Sequence, residues 1–177
     1  MKKNIVLGVT GGIAAYKSAE LCSMLVKNGF EVKVIMSRNA TRFVTPLTFQ
    51  TLSKNEVAVE LFDIDDWKPE HVNLAEWCEL FVVAPATANF IGKMANGIAD
   101  DAISTFAITC DSIKLIAPAM NPKMWQNPAV QRNCETLKND SVIFIGPASG
   151  HVACGKDGVG RMAEVSEIYN EIVKYAE

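Results

Sequence analysis

One thiol in this chain lies within a stretch whose composition favours a functional loop. Cys154 belongs to Gly150 to Arg161, GHVACGKDGVGR, a stretch with 4 glycines in 12 residues. Glycine reaches backbone dihedrals barred to other residues, so the stretch is predicted to be a loop, neither helix nor strand. It could close over a ligand and present a reactive thiol. An ordinary surface turn with an incidental cysteine is equally consistent with these residues alone.

Two further side chains could serve chemistry. His71 is one of 2 histidines and follows the aspartate-rich segment Phe62 to Glu70, which is predicted to be a loop. Its imidazole could transfer protons near neutral pH, although a lone histidine is more often a surface or packing residue. Asn121 lies between Pro118 and Pro122. The two prolines would fix the direction of its amide, as recognition of a carboxylate or amide requires.

Small and polar residues follow the predicted strands. Gly11 and Gly12 come after the first apolar run and allow a tight turn, with N–H groups and a helix start directed at an anion such as phosphate. The spacing is not that of a dinucleotide or triphosphate site, which favours a mononucleotide phosphate, but a plain tight turn is equally consistent. Ser37 could bind the same ligand or cap the next segment. Thr87, within Pro85 to Asn89, could line a flat polar ring system or be an N-cap.

The elements that position these residues are indicated by apolar runs rich in Val and Ile, which alternate with stretches of helical period. This alternation predicts an α/β fold, a three-layer, Rossmann- or flavodoxin-like, doubly wound parallel sheet in a single domain over residues 1–177. Ligands of such sheets bind at the carboxyl ends of the strands. The predicted strands are Asn4 to Val9, Glu31 to Met36, Leu80 to Ala84, Ile113 to Ala117, Val142 to Ile145 and an edge strand within Glu56 to Leu61. The predicted helices are Ala14 to Lys27, Pro46 to Leu52, Ala88 to Ala95, Ala102 to Ile108, Ala129 to Leu137 and Val165 to Tyr175.

Composition excludes several classes of function. A chain of 177 residues with 49% hydrophobic and 21% charged residues is expected to be globular, and a net charge of -3 provides no basic surface for nucleic acid. Met1 to Lys3 lead directly into a strand without an apolar signal core, so we expect a cytoplasmic protein without a membrane segment. The 5 cysteines are expected to be reduced, most of them small core residues. No Cys/His cluster predicts a metal site.

Five motifs together resemble the flavin-dependent cysteine decarboxylases. They are GVTGGIAAYK at 8–17, HVNLAEW at 71–77, APATANFIGKMANGIADD at 84–101, PAMNPKMW at 118–125 and GHVACGKDGVGRM at 150–162. The resemblance covers nearly the whole chain in the family's order. It implies an FMN enzyme of coenzyme A biosynthesis that converts phosphopantothenoylcysteine to 4'-phosphopantetheine and carbon dioxide. The substrate thiol is oxidised transiently, and the resulting enethiolate is reduced after decarboxylation, without net oxidation.

The resemblance also implies roles for individual residues. His71 matches the catalytic histidine, Asn121 the residue that holds the substrate carboxylate, and Cys154 the proton donor of the reductive step. The positions that would line FMN are Gly11, Gly12, Ile13, Ser37, Ala86, Thr87, Asn89 and Ala119, and those that would contact substrate are Asn121, Met124, Ala153 and Arg161. Two residues depart from the family pattern, Glu76 where a basic residue is common and Phe90 after the ATAN run.

Three alternatives are weighed against this interpretation. Peptidyl-cysteine decarboxylases release the enethiol without reducing it, so the cysteine motif argues against them. Flavin prenyltransferases do not share the PxMNxxMW motif. A non-catalytic flavin-binding or regulatory subunit is opposed by the retained His71, Asn121 and Cys154. Family members form trimers, or dodecamers of trimers, and a phosphopantothenoylcysteine synthetase is fused or separate; the sequence does not distinguish a free-standing enzyme from part of a bifunctional one.

Overall fold

The fold is built on a parallel sheet whose strands were largely predicted from their apolar runs. The computed structural model describes residues 3–60, 70–151 and 157–176, without the side chains of residues 70–72, 151 and 157. The parallel strands are β1 Asn4–Val9, β2 Glu31–Met36, β3 Val57–Ala58, β4 Leu80–Ala86, β5 Ile113–Pro118 and β6 Ile143–Phe144. They lie in the order β3-β2-β1-β4-β5-β6, which confirms the doubly wound α/β fold.

Helices follow or connect the strands. They are α1 Ala15–Lys27, α2 Pro46–Ser53, α3 Glu70–Trp77, α4 Ala88–Ala95, α5 Ala102–Thr109, α6 Pro122–Trp125, α7 Pro128–Asn139 and α8 Val165–Ala176, with a 3-10 helix at Ala40–Arg42. Six agree with the predicted helices to within two residues at each end. The short helices α3 and α6 and the 3-10 helix were not predicted. Of the predicted loop Phe62 to Glu70, residues 62–69 lie outside the described ranges, and Glu70 begins α3.

Apolar side chains cover both faces of the sheet and form its two cores. One core contains Leu25 of α1 and Ile172 of α8, together with the inner face of β1. The other contains Ile91 of α4 and Phe106 of α5. This arrangement gives three layers, with helices on either side of a sheet whose central strands are buried on both faces. No described helix is both long enough and apolar enough to span a bilayer.

The glycine-rich stretch after residue 147 corrects one prediction. Strands β7 Ala148–His151 and β8 Asp157–Arg161 form an antiparallel pair, with Gly150 opposite Gly158. The stretch Gly150 to Arg161 is therefore strand at both ends, and only residues 152–156 between the strands lie outside the described ranges. Glycine was interpreted as a turn signal, whereas in β8 it permits close packing against another loop.

The second core provides a test of how the sheet is stabilised. The rings of Phe81 in β4 and Phe106 in α5 are fully buried and meet edge to face, with centroids 4.9 Å apart. We expect Phe106→Ala to lower the free energy of unfolding by about 3–5 kcal/mol, because it removes this contact and leaves a cavity. The matched change Ile108→Ala, on the exposed side of the same helix, should cost about 1 kcal/mol or less. Urea unfolding measures both, and equal losses would contradict the assigned packing.

Candidate functional site

A polar cleft lies at the carboxyl ends of β1, β2 and β4. Strand order reverses between β1 and β4, and doubly wound sheets bind their ligands at such a point. The cavity there has a volume of about 120 Å³ and is lined by Thr10, Ser37, Arg38, Asn39, Thr87, Asn89, Phe90, Lys93, Asp101 and Ile103. Pockets that enclose a whole organic ligand are usually about 300–1,000 Å³. The described residues therefore enclose only part of such a ligand.

Thr10 joins the ends of β1 and β4 behind this cleft. Its buried hydroxyl donates to the Pro85 carbonyl at 2.7 Å and accepts from the Thr87 N–H at 3.0 Å. The Thr10 N–H donates to the same carbonyl at 3.4 Å. The hydroxyl therefore both donates and accepts a hydrogen bond, which offsets the cost of burying it. The start of α4, with its N-cap Thr87 and with Asn89 in its first turn, is thereby fixed to the glycine turn that follows β1.

The two glycines of that turn differ in what surrounds them. A Cβ atom at Gly11 would lie 2.4 Å from the Asn39 Cβ, so packing within the chain excludes a side chain there. At Gly12 the nearest atom would be the Thr87 Cγ2 at 3.5 Å, an ordinary contact, and the added atom would occupy space beside the cleft. Within the described ranges, the N–H groups of Gly11 and Ile13 have no acceptor. The turn thus offers donors and open space to a ligand.

Ser37 and Thr87 were each predicted either to contact a ligand or to cap the next segment, and the structure is compatible with both roles. The Ser37 Oγ accepts the Ala40 N–H at 3.3 Å, and the Thr87 Oγ1 accepts the Phe90 N–H at 3.4 Å as the N-cap of α4. Both side chains nevertheless line the cleft, as Asn89 does in the first turn of α4. Their capping role is confirmed, and their proximity to a ligand remains a prediction.

Asn121 lies in the loop between β5 and α6. Main-chain hydrogen bonds join this loop to β4 on one side and to β8 on the other. Ala119 N–H donates to the Ala86 carbonyl at 3.0 Å, and Met120 N–H donates to the Gly160 carbonyl in β8 at 2.9 Å. The Asn121 Oδ1 accepts the Lys123 N–H at 2.9 Å and caps α6. The predicted rigidity of this loop therefore comes from hydrogen bonds to β4 and β8 as well as from its prolines.

Close backbone contact holds β8 against this loop. A Cβ at Gly160, whose φ is +156°, would lie 2.3 Å from the Met120 carbonyl oxygen. A Cβ at Gly158 would lie 2.9 Å from Pro122 side-chain carbons. Both positions therefore require glycine. The hairpin that contains Cys154 between its strands is attached directly to the loop that carries Asn121.

Several predicted site residues are not described to the level of their side chains. His71 is in the first turn of α3, but its side chain lies outside the described part of the chain. Ala153 and Cys154 fall within residues 152–156, which are also outside it. Their roles remain predictions. Ala86 is fully buried in the second core, Ala119 is half-buried, and Met124 is 48% exposed.

Comparison with known proteins decides the family. The sequence model of the family described as Flavoprotein matches residues 1–177. This chain belongs to the flavoprotein family. That assignment agrees with a hydroxyl-lined cleft at the switch point of a doubly wound sheet, next to a turn whose Gly11 and Ile13 N–H groups have no acceptor within the described ranges.

Three similar proteins are informative about this flavoprotein. The bifunctional coenzyme A biosynthesis protein CoaBC of Bacillus subtilis (strain 168) is 48% identical over 178 residues, 99% of this chain and 42% of its own length. The chain thus spans less than half of that relative. "Probable phosphopantothenoylcysteine decarboxylase" of Streptococcus mutans is 41% identical over 97% of this chain and 98% of its own length. A solved cysteine-to-serine mutant of PPC decarboxylase, complexed with pantothenoylaminoethenethiol, is 29% identical with a TM-score of 0.88 and covers 99% of each chain.

Arg161, predicted to contact substrate, lies at the base of the hairpin in this flavoprotein. Its guanidinium is paired with Glu164, which also binds the Lys17 Nζ at 3.1 Å, and Lys17 lowers the pKa of the Glu164 carboxyl. The guanidinium also lies over Gly150, where an added Cβ would be 3.8 Å from it. The Arg161 Nε is buried without an acceptor in the described ranges. Arg161 therefore links the hairpin to α1 and retains one donor for a ligand.

Sequence reasoning missed Thr10, Asn39 and the ion pair between Lys93 and Asp101 as lining residues. Asp101 caps α5, and although burial opposes its ionisation, hydrogen bonds from Lys93 and Ser104 lower its pKa. An acidic pair before an apolar run is an N-cap signal and could have identified Asp101. Thr10 and Asn39 carried a usable signal as well, since each is a polar residue just beyond a predicted strand.

The contact between β8 and the Asn121 loop can be tested by comparing two glycines of the hairpin. We expect Gly160→Ala to lower the free energy of unfolding by about 1–3 kcal/mol more than Gly150→Ala, because only the first drives a Cβ into a backbone carbonyl. Gly150 is a matched control with a similar φ of +146° and no atom closer than 3.8 Å to its added Cβ. Urea denaturation measures the difference. Equal losses would mean that dihedral strain alone requires glycine at 160.

Proposed function

We propose that this chain is an FMN-dependent phosphopantothenoylcysteine decarboxylase that produces 4'-phosphopantetheine in the cytoplasm. The observation that carries the proposal is the attachment of the β7–β8 hairpin to the Asn121 loop. This attachment brings the strands flanking Cys154 next to the predicted carboxylate-binding residue. The name of the Streptococcus mutans relative supports the choice of substrate, and that of the Bacillus subtilis relative supports a place in coenzyme A biosynthesis.

The cleft fits the phosphate and sugar end of FMN. The N–H groups of Gly11 and Ile13, which have no acceptor in the described ranges, could bind a phosphate near the start of α1. The hydroxyl groups of Ser37 and Thr87 and the amide of Asn89 could bind the remaining polar atoms. The absence of a side chain at Gly12 leaves room for a ligand against the backbone. A bound FMN would extend beyond the cavity of about 120 Å³.

The reaction requires an electron sink that a cysteine-derived carboxylate lacks. When bound, FMN supplies reversible two-electron oxidation of the substrate thiol, and the thiocarbonyl so produced can accept the electron pair left by carbon dioxide. We assign His71 to proton transfer at the start of the reaction and the Asn121 amide to holding the carboxylate. Cys154 would donate a proton to the enethiolate in the reductive half.

The hairpin is suited to excluding water around the substrate. Its base is held by the Arg161, Glu164 and Lys17 ion pairs and by the contact of Gly160 with Met120. The buried Arg161 Nε could bind an acceptor atom of the substrate. The exposed Met124 lies in the adjoining helix α6, where a ligand could contact it. The PPC decarboxylase mutant complexed with pantothenoylaminoethenethiol shows that an enethiol can occupy a protein of this fold.

We further propose that the protein assembles as a trimer or as a dodecamer of trimers. Four large apolar side chains near the glycine turn and α2 are exposed in the single chain: Ile13, Tyr16, Phe43 and Leu47. Subunit contacts over this surface would cover them and enlarge the partly enclosed cleft. A phosphopantothenoylcysteine synthetase, which would supply the substrate, is the proposed partner enzyme.

The proposed cofactor site can be tested without measuring turnover. We expect the protein to bind oxidised FMN and to be yellow. Gly12→Ala should weaken binding by about 1–3 kcal/mol, or about 5- to 150-fold in Kd, because its Cβ occupies space needed by the ligand. Gly92→Ala is the matched control, with its nearest atom also at 3.5 Å but on α4 facing Asn133. Titration of the apoprotein with FMN measures both, and unchanged affinity of Gly12→Ala would exclude the turn from the site.

Two variants separate the half-reactions. We expect His71→Asn to abolish release of carbon dioxide from phosphopantothenoylcysteine, because oxidative decarboxylation loses its proton acceptor. Cys154→Ser should still release carbon dioxide but accumulate the enethiol, because reduction loses its proton donor. Mass spectrometry of the products, alongside carbon dioxide release, distinguishes these results. Full conversion to 4'-phosphopantetheine by Cys154→Ser would contradict the assigned role.

A further inference from the structure

Two of the described residues that line the polar cleft are cationic, and only one of them can readily change its partner. Lys93 is enclosed by two carboxylates, with its Nζ 2.5 Å from Asp100 and 2.6 Å from Asp101, and its side chain is 17% exposed. Arg38 is 80% exposed, and within the described ranges its guanidinium forms an ion pair with Glu60 only. Lys93 is therefore committed to the protein, whereas Arg38 is available to a ligand.

The main chain at Arg38 is held in place beside the glycine turn. Its carbonyl accepts a hydrogen bond from the Thr41 hydroxyl at 2.8 Å. The next residue, Asn39, packs so closely on the turn that a Cβ at Gly11 would lie 2.4 Å from the Asn39 Cβ and 3.0 Å from its carbonyl carbon. Gly11 is one of the two residues whose N–H groups we assign to a phosphate. The Arg38 side chain thus extends from a fixed main chain along the wall of the same cleft.

Glu60 reaches Arg38 because two strands end side by side. Strands β2 and β3 are parallel neighbours, with Ile35 opposite Ala58. Continued by two residues, this register places Glu60 beside Ser37 at the carboxyl edge of the sheet. The Glu60 Oε1 accepts from the Arg38 Nε at 3.0 Å and from its Nη2 at 2.8 Å. The carboxylate therefore uses two adjacent N–H donors of the kind that also bind phosphate oxygens.

This ion pair is of a kind that a stronger anion can displace. The Glu60 side chain is 45% exposed, and ion pairs between exposed side chains contribute little because water competes for both partners. A phosphate monoester carries a charge of about -2 near neutral pH, twice that of a carboxylate, and arginine binds its oxygens through several N–H groups at once. Exchange of the carboxylate for a phosphate is therefore favourable, and the released carboxylate remains in contact with water.

We propose that Arg38 exchanges its ion pair with Glu60 for the phosphate group of bound FMN, so that Glu60 is a competing anion built into the cofactor site. This inference rests on the proposed function, which takes FMN as the ligand of the cleft. Phosphopantothenoylcysteine is also a phosphate monoester, but Arg38 directly precedes the residue that packs on the glycine turn assigned to the cofactor. The pair therefore sets the preference for FMN over riboflavin, which has no phosphate.

Titration of the apoprotein, as the whole chain, with FMN and with riboflavin tests the role of Arg38. Arg38→Met keeps much of the side-chain length without the charge. We expect it to raise the Kd for FMN about tenfold and to leave the Kd for riboflavin unchanged. Arg42→Met is the matched control, because Arg42 is exposed in the 3-10 helix that follows and is not among the lining residues. Equal loss of affinity for both flavins, or unchanged affinity for FMN, would overturn the proposal.

Removal of the competing anion should have the opposite effect. We expect Glu60→Gln to lower the Kd for FMN about two- to fivefold, because FMN no longer has to displace an exposed ion pair, and to leave riboflavin binding unchanged. In the Arg38→Met background the same change should leave the Kd for FMN unaltered, because there is no ion pair to release. An equal gain with and without Arg38 would mean that Glu60 only repels the phosphate, which contradicts an exchange.

The same titrations separate this inference from the proposed cofactor. If the unaltered protein binds neither flavin, both are wrong. If it prefers FMN and Arg38→Met keeps the whole preference, the cofactor assignment stands and the inference alone fails. An effect of Arg38→Met on the KM for phosphopantothenoylcysteine without an effect on FMN binding would assign the guanidinium to the substrate and likewise refute the exchange. Circular dichroism establishes that each variant is folded, and Glu60→Gln decides the matter if Arg38→Met is not.

Discussion

The position of the hairpin depends on close contact between two stretches of backbone. Met120 N–H donates to the Gly160 carbonyl, while the Gly160 Cα lies so close to the Met120 carbonyl that a Cβ could not fit. A side chain can rotate away from a clash, but a carbonyl in a hydrogen-bonded loop cannot move without breaking other bonds. Strand β8 and the Asn121 loop therefore behave as one unit. Strand β7 pairs with β8, so this contact also fixes β7 relative to the sheet.

A second set of hydrogen bonds fixes the loops on the other side of the cleft. The Thr10 hydroxyl joins the ends of β1 and β4 at the switch point, and the Ala119 N–H joins the loops that follow β4 and β5. The polar groups on successive loops are thus connected through main-chain atoms and one buried hydroxyl. Such connections do not require long side chains to hold the site, which leaves Ser37 and Asn89 able to face a ligand.

Features that depend on neighbouring residues in the sequence were predicted correctly, whereas features that depend on contacts between distant residues were missed. The strands β1 and β2 were predicted with their observed bounds because each is a short run rich in Val and Ile, a signal contained within the strand itself. The hairpin strands were missed because glycine is a turn signal locally, and the neighbour that requires glycine at 160 is Met120, forty residues away. The position of Thr10 after a predicted strand was a local signal, but its bond to Pro85 was not, because that partner is distant in the sequence. Helix α3 was missed because its short sequence shows no strong amphipathic pattern.

The cysteines illustrate why residue type alone does not determine chemistry. Sequence spacing predicted most of them to be core residues, and Cys22, Cys78, Cys110 and Cys134 are indeed buried. For Cys22, burial without a stabilising donor favours the neutral thiol. Cys78 and Cys110 are also buried, but they precede two adjacent strands and belong to the same core. They share that core because β4 and β5 pair in register, so the pairing of two strands, and not the local sequence, sets the surroundings of these two thiols.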